Sequence, residues 1–468
     1  MHSTAKAAPA RSQPTLYGAE GIRGFWPADL HPNFARSLGQ ALGHWVRAQG
    51  ETAVMVGRDM RLSSVQLSAA LQSGVREAGV KVYDAGICSG PVLYFGARLL
   101  ECPVTVRVGA AHDLAERNGV EIAHDGSLLD VAQWTAVRER MSHPAPNAPT
   151  PAGAYAPVAL QACYIARLLC DIPSLAGLRV VIDAGNGTAG LTAPALFRAL
   201  GCEVTELFCD PDETFPQHLP DPTDPRNLQD LTYCLRYANA DIGLAFDTDA
   251  RRVVAVTPSG QIIGVDQQLV LFARDLLKDN AGARILSDTQ NSRRVTAAVE
   301  DAGGQSIAAA GGRAGMRERM QAVGAAIAGD AAGHVCFTDR WFGAPDGLYT
   351  AARLLEIASR TNDTAAVLEA LPRAYATPEL QADTGASDPL NVLQSLASQG
   401  QFTGSSQAVD ATGLRVEYAD GVGVARSADS LAGLVFRFEA DTPQALVRIQ
   451  STFRRQLRRV APRVQVPF

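Results

Sequence analysis

Lysine is nearly missing from this chain. Of 42 basic residues in 468, only Lys6, Lys81 and Lys278 are lysines. A mechanism that places a lysine amine on a phosphate or a carbonyl must use one of these three or do without. No run of 18 uninterrupted apolar residues occurs, which excludes a transmembrane helix. The first stretch, Met1 to Pro14, is small and polar and lacks the apolar core of a secretory signal, so residues 1–14 read as a disordered tail. No pair of the form Cys-x-x-Cys exists among the eight cysteines, at 88, 102, 163, 170, 202, 209, 234 and 336. Scattered cysteines in a long chain point to a reduced, cytoplasmic protein with buried thiols. A large charge excess is absent too. The formal net charge of −6 gives no electrostatic case for nucleic acid or an anionic membrane, and neither is expected as a partner.

What is present is a chain long enough for three or four domains, 47% hydrophobic, with each domain able to bury a core. Prolines at 144, 146, 149, 151 and 157 make Ser142 to Pro157 a linker that can be neither helix nor central strand. Before it, Ala53–Val56 reads as a buried strand ending in Gly57-Arg58-Asp59. Ser63 is expected to cap a helix carrying Val65, Leu67, Leu71 and Val75, Gly79 to end it, and Lys81–Tyr83 to open the next strand. That is a β-α-β unit, hence parallel sheet. The pattern returns with strands at Leu178–Asp183, Glu203–Phe208, Asp241–Phe246, Val253–Val256, Arg284–Leu286 and Ala325–Ala328. Helices are expected from the Ala184–Gly187 turn to about Leu200, over Asp266 to Leu277 and over Arg293–Ala302. From about Leu371 the elements become shorter and mixed, closing with strand Leu434–Glu439 and a helix over Pro443–Leu457. The fold class is α/β, with three α/β domains and a C-terminal α+β domain, divided at 15–157, 158–261, 262–373 and 374–468.

Polar and glycine-rich loops recur at the carboxyl ends of the strands, where open α/β sheets place ligands. Asp247 and Asp249 follow a buried strand and can face a hard cation, form an ordinary polar turn, or belong to a nucleophilic-aspartate site. Ala184-Gly185-Asn186-Gly187 can cradle phosphate at a helix start or be a tight turn that needs positive φ. His112 and His334 lie in loops rich in Gly and Ala rather than on apolar faces.

Taken in order, these loops resemble the α-D-phosphohexomutase family, in particular its bacterial phosphomannomutase/phosphoglucomutase branch. The resemblance runs from about Tyr17 to Phe468. It rests on Gly21-Ile22-Arg23-Gly24, Val56-Gly57-Arg58-Asp59, Asp183 to Gly187, Phe215 to Pro222, Gly243 to Asp247, Asp339 to Gly343 and Phe436 to Asp441. It implies four domains around a central cleft, a Mg²⁺ ion, an active-site phosphoserine, and transfer of phosphate between the 1- and 6-positions of a hexose.

Measured against that pattern, the catalytic loops are altered. Where the family reads Thr-(Ala/Gly)-Ser-His-Asn-Pro, this chain reads Gly109-Ala110-Ala111-His112-Asp113-Leu114, so Ala111 stands at the phosphoserine position and His112 is kept. A family lysine is Glu121. The metal loop Asp-Gly-Asp-Gly-Asp-Arg reads Asp247-Thr248-Asp249-Ala250-Arg251-Arg252, which leaves two of three carboxylates and puts Arg251 at the third. Arg251 is expected to pair with Asp247 or Asp249 and replace the ion. The sugar loop Gly-Glu-Met-Ser-Gly-His reads Gly329-Asp330-Ala331-Ala332-Gly333-His334. A further family lysine is Gln290 and a family histidine is Arg313. The phosphate loop of the last domain reads Arg426-Ser427-Ala428-Asp429-Ser430-Leu431-Ala432, keeping Arg426, Ser427 and Ser430 as candidate contacts. Arg23, Arg58, Arg252, Asp330, His334 and Arg426 remain as candidates for binding a hexose phosphate or another small anion. The leading expectation is a family member without mutase activity and without a cofactor, binding a sugar phosphate or a protein partner in carbohydrate or polysaccharide precursor metabolism. An active or weakly active phosphohexomutase, and a structural subunit beside an active mutase, are the alternatives.

Overall fold

In a computed structural model the chain is described over residues 17–18, 21–111, 116–143, 151–310, 313, 315–361, 363–377, 379–385, 387–409, 413–427 and 433–468. The proposed tail at 1–14, His112 and Ser430 lie outside these residues, as do positions 144–150 of the linker. The chain forms two compact units, Ala19–Arg373 and a second one holding Ala374–Phe468.

Three sheets make up the larger unit. In the first, Val104–Val108, Ala53–Arg58 and Lys81–Ile87 run parallel, and Arg117–His124 and Gly21–Phe25 add antiparallel strands on one side. The parallel core follows from crossover helices such as Leu62–Glu77, which returns the chain to the same end of the sheet. Ser63 does not cap that helix. It lies in the first turn, and its hydroxyl accepts from Asn118 Nδ2 at 2.7 Å. The linker also ends earlier than expected: Val131–Ser142 is helix, and Tyr155–Pro157 pairs with Lys81–Ile87. Pro157 is tolerated there because it sits on the sheet's edge.

The second sheet orders Glu203–Leu207, Arg179–Asp183 and Ile242–Phe246 in parallel, then Val253–Val256 and Ile262–Ile263 antiparallel. The third orders Gln305–Ala309, Arg284–Asp288 and Ala325–Gly329 in parallel, with Val335–Phe337 antiparallel. One apolar core joins them, running from Met55 and Leu93 through Ile182, Phe197 and Phe246 to Phe272, Ile327 and Tyr349. The smaller unit is an antiparallel sheet, with helices Pro389–Gln399 and Pro443–Val460 packed on it over Phe436, Phe438 and Phe453.

All eight cysteines are free, but not all are buried: Cys163 and Cys170 are exposed. Both belong to helix Gln161–Leu169 and its C-cap, which bury only Tyr164 and Leu168. Among the described residues no helix is long and apolar enough to cross a membrane.

Candidate functional site

The turn between Ile242–Phe246 and Val253–Val256 is the centre of the site, and its backbone explains its shape. Ala250 adopts φ +58°, and its N–H closes the turn onto the Asp247 carbonyl at 3.0 Å. Asp247 accepts from the Arg252 backbone N–H at 2.9 Å and from Arg252 Nε at 3.0 Å. Both oxygens of Asp247 are therefore engaged within the turn. Arg252 also donates to the Ala332 carbonyl at 3.3 Å, tying this turn to the Asp330–His334 loop.

The Ala184–Gly187 turn supports this loop from below. Gly185 and Asn186 have φ of +49° and +57°. The N–H groups of Gly185, Asn186, Gly187 and Thr188 all bond internally, to Asp183, Phe208, Ala184 and Thr248. A Cβ on Gly187 would lie 2.7 Å from Thr248, so glycine is needed for close packing. The turn is a scaffold for the Asp247–Arg252 loop, with its amides taken up rather than offered to a phosphate.

Ala111 lies against the same turn. It has φ +49°, and its carbonyl accepts from Thr248 Oγ1 at 2.9 Å and from Arg61 Nη2 at 3.2 Å. Behind it, buried Asp59 accepts from Ala110 N–H, Ser64 Oγ and Arg61. Arg23 reaches the Gly109 carbonyl at 2.5 Å, passing over Gly119, where a Cβ would meet its Nη1 at 2.2 Å. Arg58 is half-buried, with Nη1 on the Asp59 carbonyl at 3.1 Å.

Arg251 points into the molecule. Its Nε lies 2.5 Å from Asp249 Oδ2, the pairing expected from the sequence, and its Nη1 lies 2.8 and 3.0 Å from the two oxygens of Glu121. Arg313 brings a second guanidinium to Glu121 at 3.2 and 2.9 Å, and Tyr94 donates to it at 2.8 Å. Arg107 completes the cluster, 3.2 Å from Asp249 Oδ2. Glu121 is 1% exposed, Asp249 0% and Arg251 3%. Burial opposes charge on Glu121, but Arg251 and Arg313 outweigh it and hold the carboxyl well below the usual range. Asp249 is likewise held low against burial, by Arg107 and Arg251. Asp247 is pushed up by burial and by the neighbouring charge of Asp249, against the pull of Arg252. Among the described residues no group of three or more His, Cys, Asp and Glu side chains is arranged to hold a metal ion.

In the third domain, His334 Nδ1 lies 2.9 Å from Asp330 Oδ2, and its backbone N–H donates to Asp330 Oδ1. Asp330 thus organises its own loop. Gln290 is half-buried, its N–H on Asp288. Arg426 and Ser427 end strand Gly421–Ser427 of the smaller unit, where Arg426 Nη2 lies 2.7 Å from Glu379. Neither described lysine joins the site: Lys81 donates to Tyr83 at the start of its strand, and Lys278 lies 3.4 Å from Asp275 on the surface. Arg107, Tyr94 and Thr248 escaped sequence reasoning. Only Arg107 left a signal, as a charge inside the apolar run Val104-Thr105-Val106-Arg107-Val108, every residue of which is buried.

Three α/β domains, with loops at the carboxyl ends of strands bringing together paired Asp, Arg and His residues, define a multidomain α/β protein. The chain belongs to the phosphoglucomutase/phosphomannomutase family. Residues 14–146, 164–260 and 265–375 match its alpha/beta/alpha domains I, II and III. A phosphomannomutase/phosphoglucomutase of Pseudomonas putida is 39% identical over 98% of this chain and 99% of its own length. A phosphoglucomutase of Neisseria gonorrhoeae is 37% identical over 94% of this chain and 96% of its own. A phosphoglucomutase/phosphomannomutase family protein of Burkholderia thailandensis, solved by crystallography, superposes with a TM-score of 0.90 at 41% identity, covering 97% of this chain and 99% of that one.

Proposed function

We propose that this chain is a family member that binds a hexose phosphate, or another small anion, without phosphoserine-dependent transfer, in carbohydrate precursor metabolism. The observation that carries the reading is Ala111. At the position where the family places its phosphorylated serine, a methyl group offers no atom to accept a phosphoryl group. Losing a nucleophile typically removes several orders of magnitude of rate.

The donor set around Asp247 and Asp249 points the same way. Mg²⁺ requires near-octahedral oxygen ligation, usually with several waters retained. Here both oxygens of Asp247 are engaged by Arg252, Asp249 faces Arg107 and Arg251, and the third carboxylate position is itself a guanidinium. These residues do not suit a hard dication. The family's lysine positions carry Glu121 and Gln290, so the chain has no amine to shuttle a proton at those points. Arg23, Arg58, Arg252 and His334 support anion binding in the larger unit, and Arg426 with Ser427 in the smaller one.

A second reading, an active phosphohexomutase interconverting hexose 1-phosphate and 6-phosphate, is supported by the names of relatives that match nearly the whole chain. Phosphorus NMR of the purified protein with glucose 1-phosphate, Mg²⁺ and glucose 1,6-bisphosphate separates the two. The first reading expects no 6-phosphate signal above a protein-free control. A signal that grows with protein concentration establishes the second.

A further inference from the structure

Glu121 stands directly across from Arg107 in the antiparallel pairing of Val104–Val108 with Arg117–His124, inside the first domain. Its carboxylate takes donors from three separate segments: Tyr94 of helix Gly90–Leu99, Arg251 of the second domain's turn, and Arg313 of the third domain. A carboxylate has about four lone-pair sites, and five contacts of 2.8–3.2 Å saturate them. Arg313 presents two nitrogens in a fork, the geometry with which guanidinium groups hold carboxylates and phosphates alike. Two arginines converging on one buried point describe an oxyanion site, and here the oxyanion is covalently part of the chain.

We propose that Glu121 is a built-in anion occupying an oxyanion-binding corner formed by Arg251 and Arg313, so that this corner is closed to a phosphoryl group while Glu121 is in place. The class of ligand the corner would take is a tetrahedral oxyanion, either inorganic phosphate or the phosphoryl end of a hexose phosphate. The pairing of charges agrees. Arg251 and Arg313 both pair with Glu121, so removing its charge takes a shared anionic partner from two buried guanidinium groups, a partner that an external dianion would replace. This deepens the proposed reading of the site, but its readout is binding and not turnover. The two therefore fail separately.

The test is calorimetry of the full chain with inorganic phosphate, comparing the unaltered protein with Glu121→Ala, which vacates the corner and whose folding is checked by circular dichroism. Glu121→Ala should bind phosphate at least tenfold more tightly, and phosphate should raise its melting temperature more than that of the unaltered chain. Equal affinity in a folded Glu121→Ala protein overturns the proposal. Arg313→Gln in the unaltered background guards against a misfolded first variant. With Arg313 held by Glu121, that change should leave phosphate affinity within twofold, and a larger loss means that Arg313 is already available to anions, which also overturns it. Repeating the titration with glucose 1-phosphate and with glucose distinguishes the two sources. A gain for phosphate alone assigns the corner to free phosphate, a gain for both phosphates assigns it to the phosphoryl group, and a gain for glucose counts against an oxyanion site.

Discussion

Asp249 and Glu121 each carry more than one cationic neighbour, and the neighbours are not equivalent. Arg251 bridges both carboxylates, whereas Arg107 lies against Asp249 with none of its side-chain nitrogens hydrogen-bonded. Removing Arg251 takes from Asp249 its 2.5 Å contact and from Glu121 two of its hydrogen bonds. Arg251→Met should cost about 3–5 kcal/mol of unfolding free energy. Removing Arg107 breaks no side-chain hydrogen bond and leaves the contacts of Arg251 with both carboxylates in place, so Arg107→Met should stay within about 1 kcal/mol of the unaltered chain. Urea unfolding monitored by circular dichroism ranks the two, and equal costs would refute the bridging role. The same coupling governs any attempt to restore chemistry. Ala111→Ser alone should give no glucose 6-phosphate by phosphorus NMR, because Arg251 would still stand at the family's third metal-ligand position. Ala111→Ser with Glu121→Lys and Arg251→Asp restores the hydroxyl and reverses both charges together, and should be the first combination to show conversion.

Between elements, the loop holding His218 packs on the end of strand Arg179–Asp183. His218 Nε2 lies 3.2 Å from Asp183 Oδ2, Nδ1 lies 2.9 Å from the Leu219 carbonyl, and the ring meets Phe208 edge-on. Burial pulls the imidazolium down, but Asp183 outweighs it and leaves the folded-state pKa above the ordinary 6.5. A histidine raised in this way contributes stability that is fully present below 6.5 and is lost as pH rises through its folded value. Unfolding free energy should therefore fall as pH rises above 6.5, and His218→Gln should flatten that slope. Urea titrations across the pH series check this, and an unchanged slope in the variant would assign it elsewhere. Helix Pro443–Val460 offers a simpler test. Thr442 Oγ1 accepts from the Ala445 N–H at 3.1 Å, and Thr442→Ala should cost about 1 kcal/mol in a denaturant melt.

Over the whole molecule, the two units have separate cores. That of the smaller unit centres on Phe436, Phe438 and Phe453, with Leu396 and Leu457 beside them. Phe453 meets Phe402 and Phe438 at ring distances of 4.8 and 5.2 Å and is fully buried. Phe453→Ala should cost about 3–5 kcal/mol. Hydrogen exchange should speed up across residues 374–468 while the strands of the larger unit keep their protection. Uniform loss of protection in both units would show that they unfold as one.

Much of this architecture was legible in local pattern, because a parallel strand buried on both faces must be an apolar run and its crossover helix must be amphipathic. Ile242–Phe246, parallel to Arg179–Asp183, is such a case, and so is the turn from Asp183 to Gly187, which needs two residues at positive φ. The departures at Ala111, Glu121 and Arg251 were legible against the family's motifs: Ala111 and Arg251 stand in loops and Glu121 within a strand, each at a position the motif order fixes. Chain order left two things open. It did not say which use the amides of Gly185–Thr188 would find, since only Thr248, sixty residues on from Thr188, supplies the last acceptor. Nor, beyond the pairing of Arg251 with Asp249, did it join Arg107, Glu121 and Arg313 to them, residues that lie in three domains. Electrostatic pairing falls off over a few ångströms in space and is blind to sequence separation, so that cluster exists only where packing has closed the gaps.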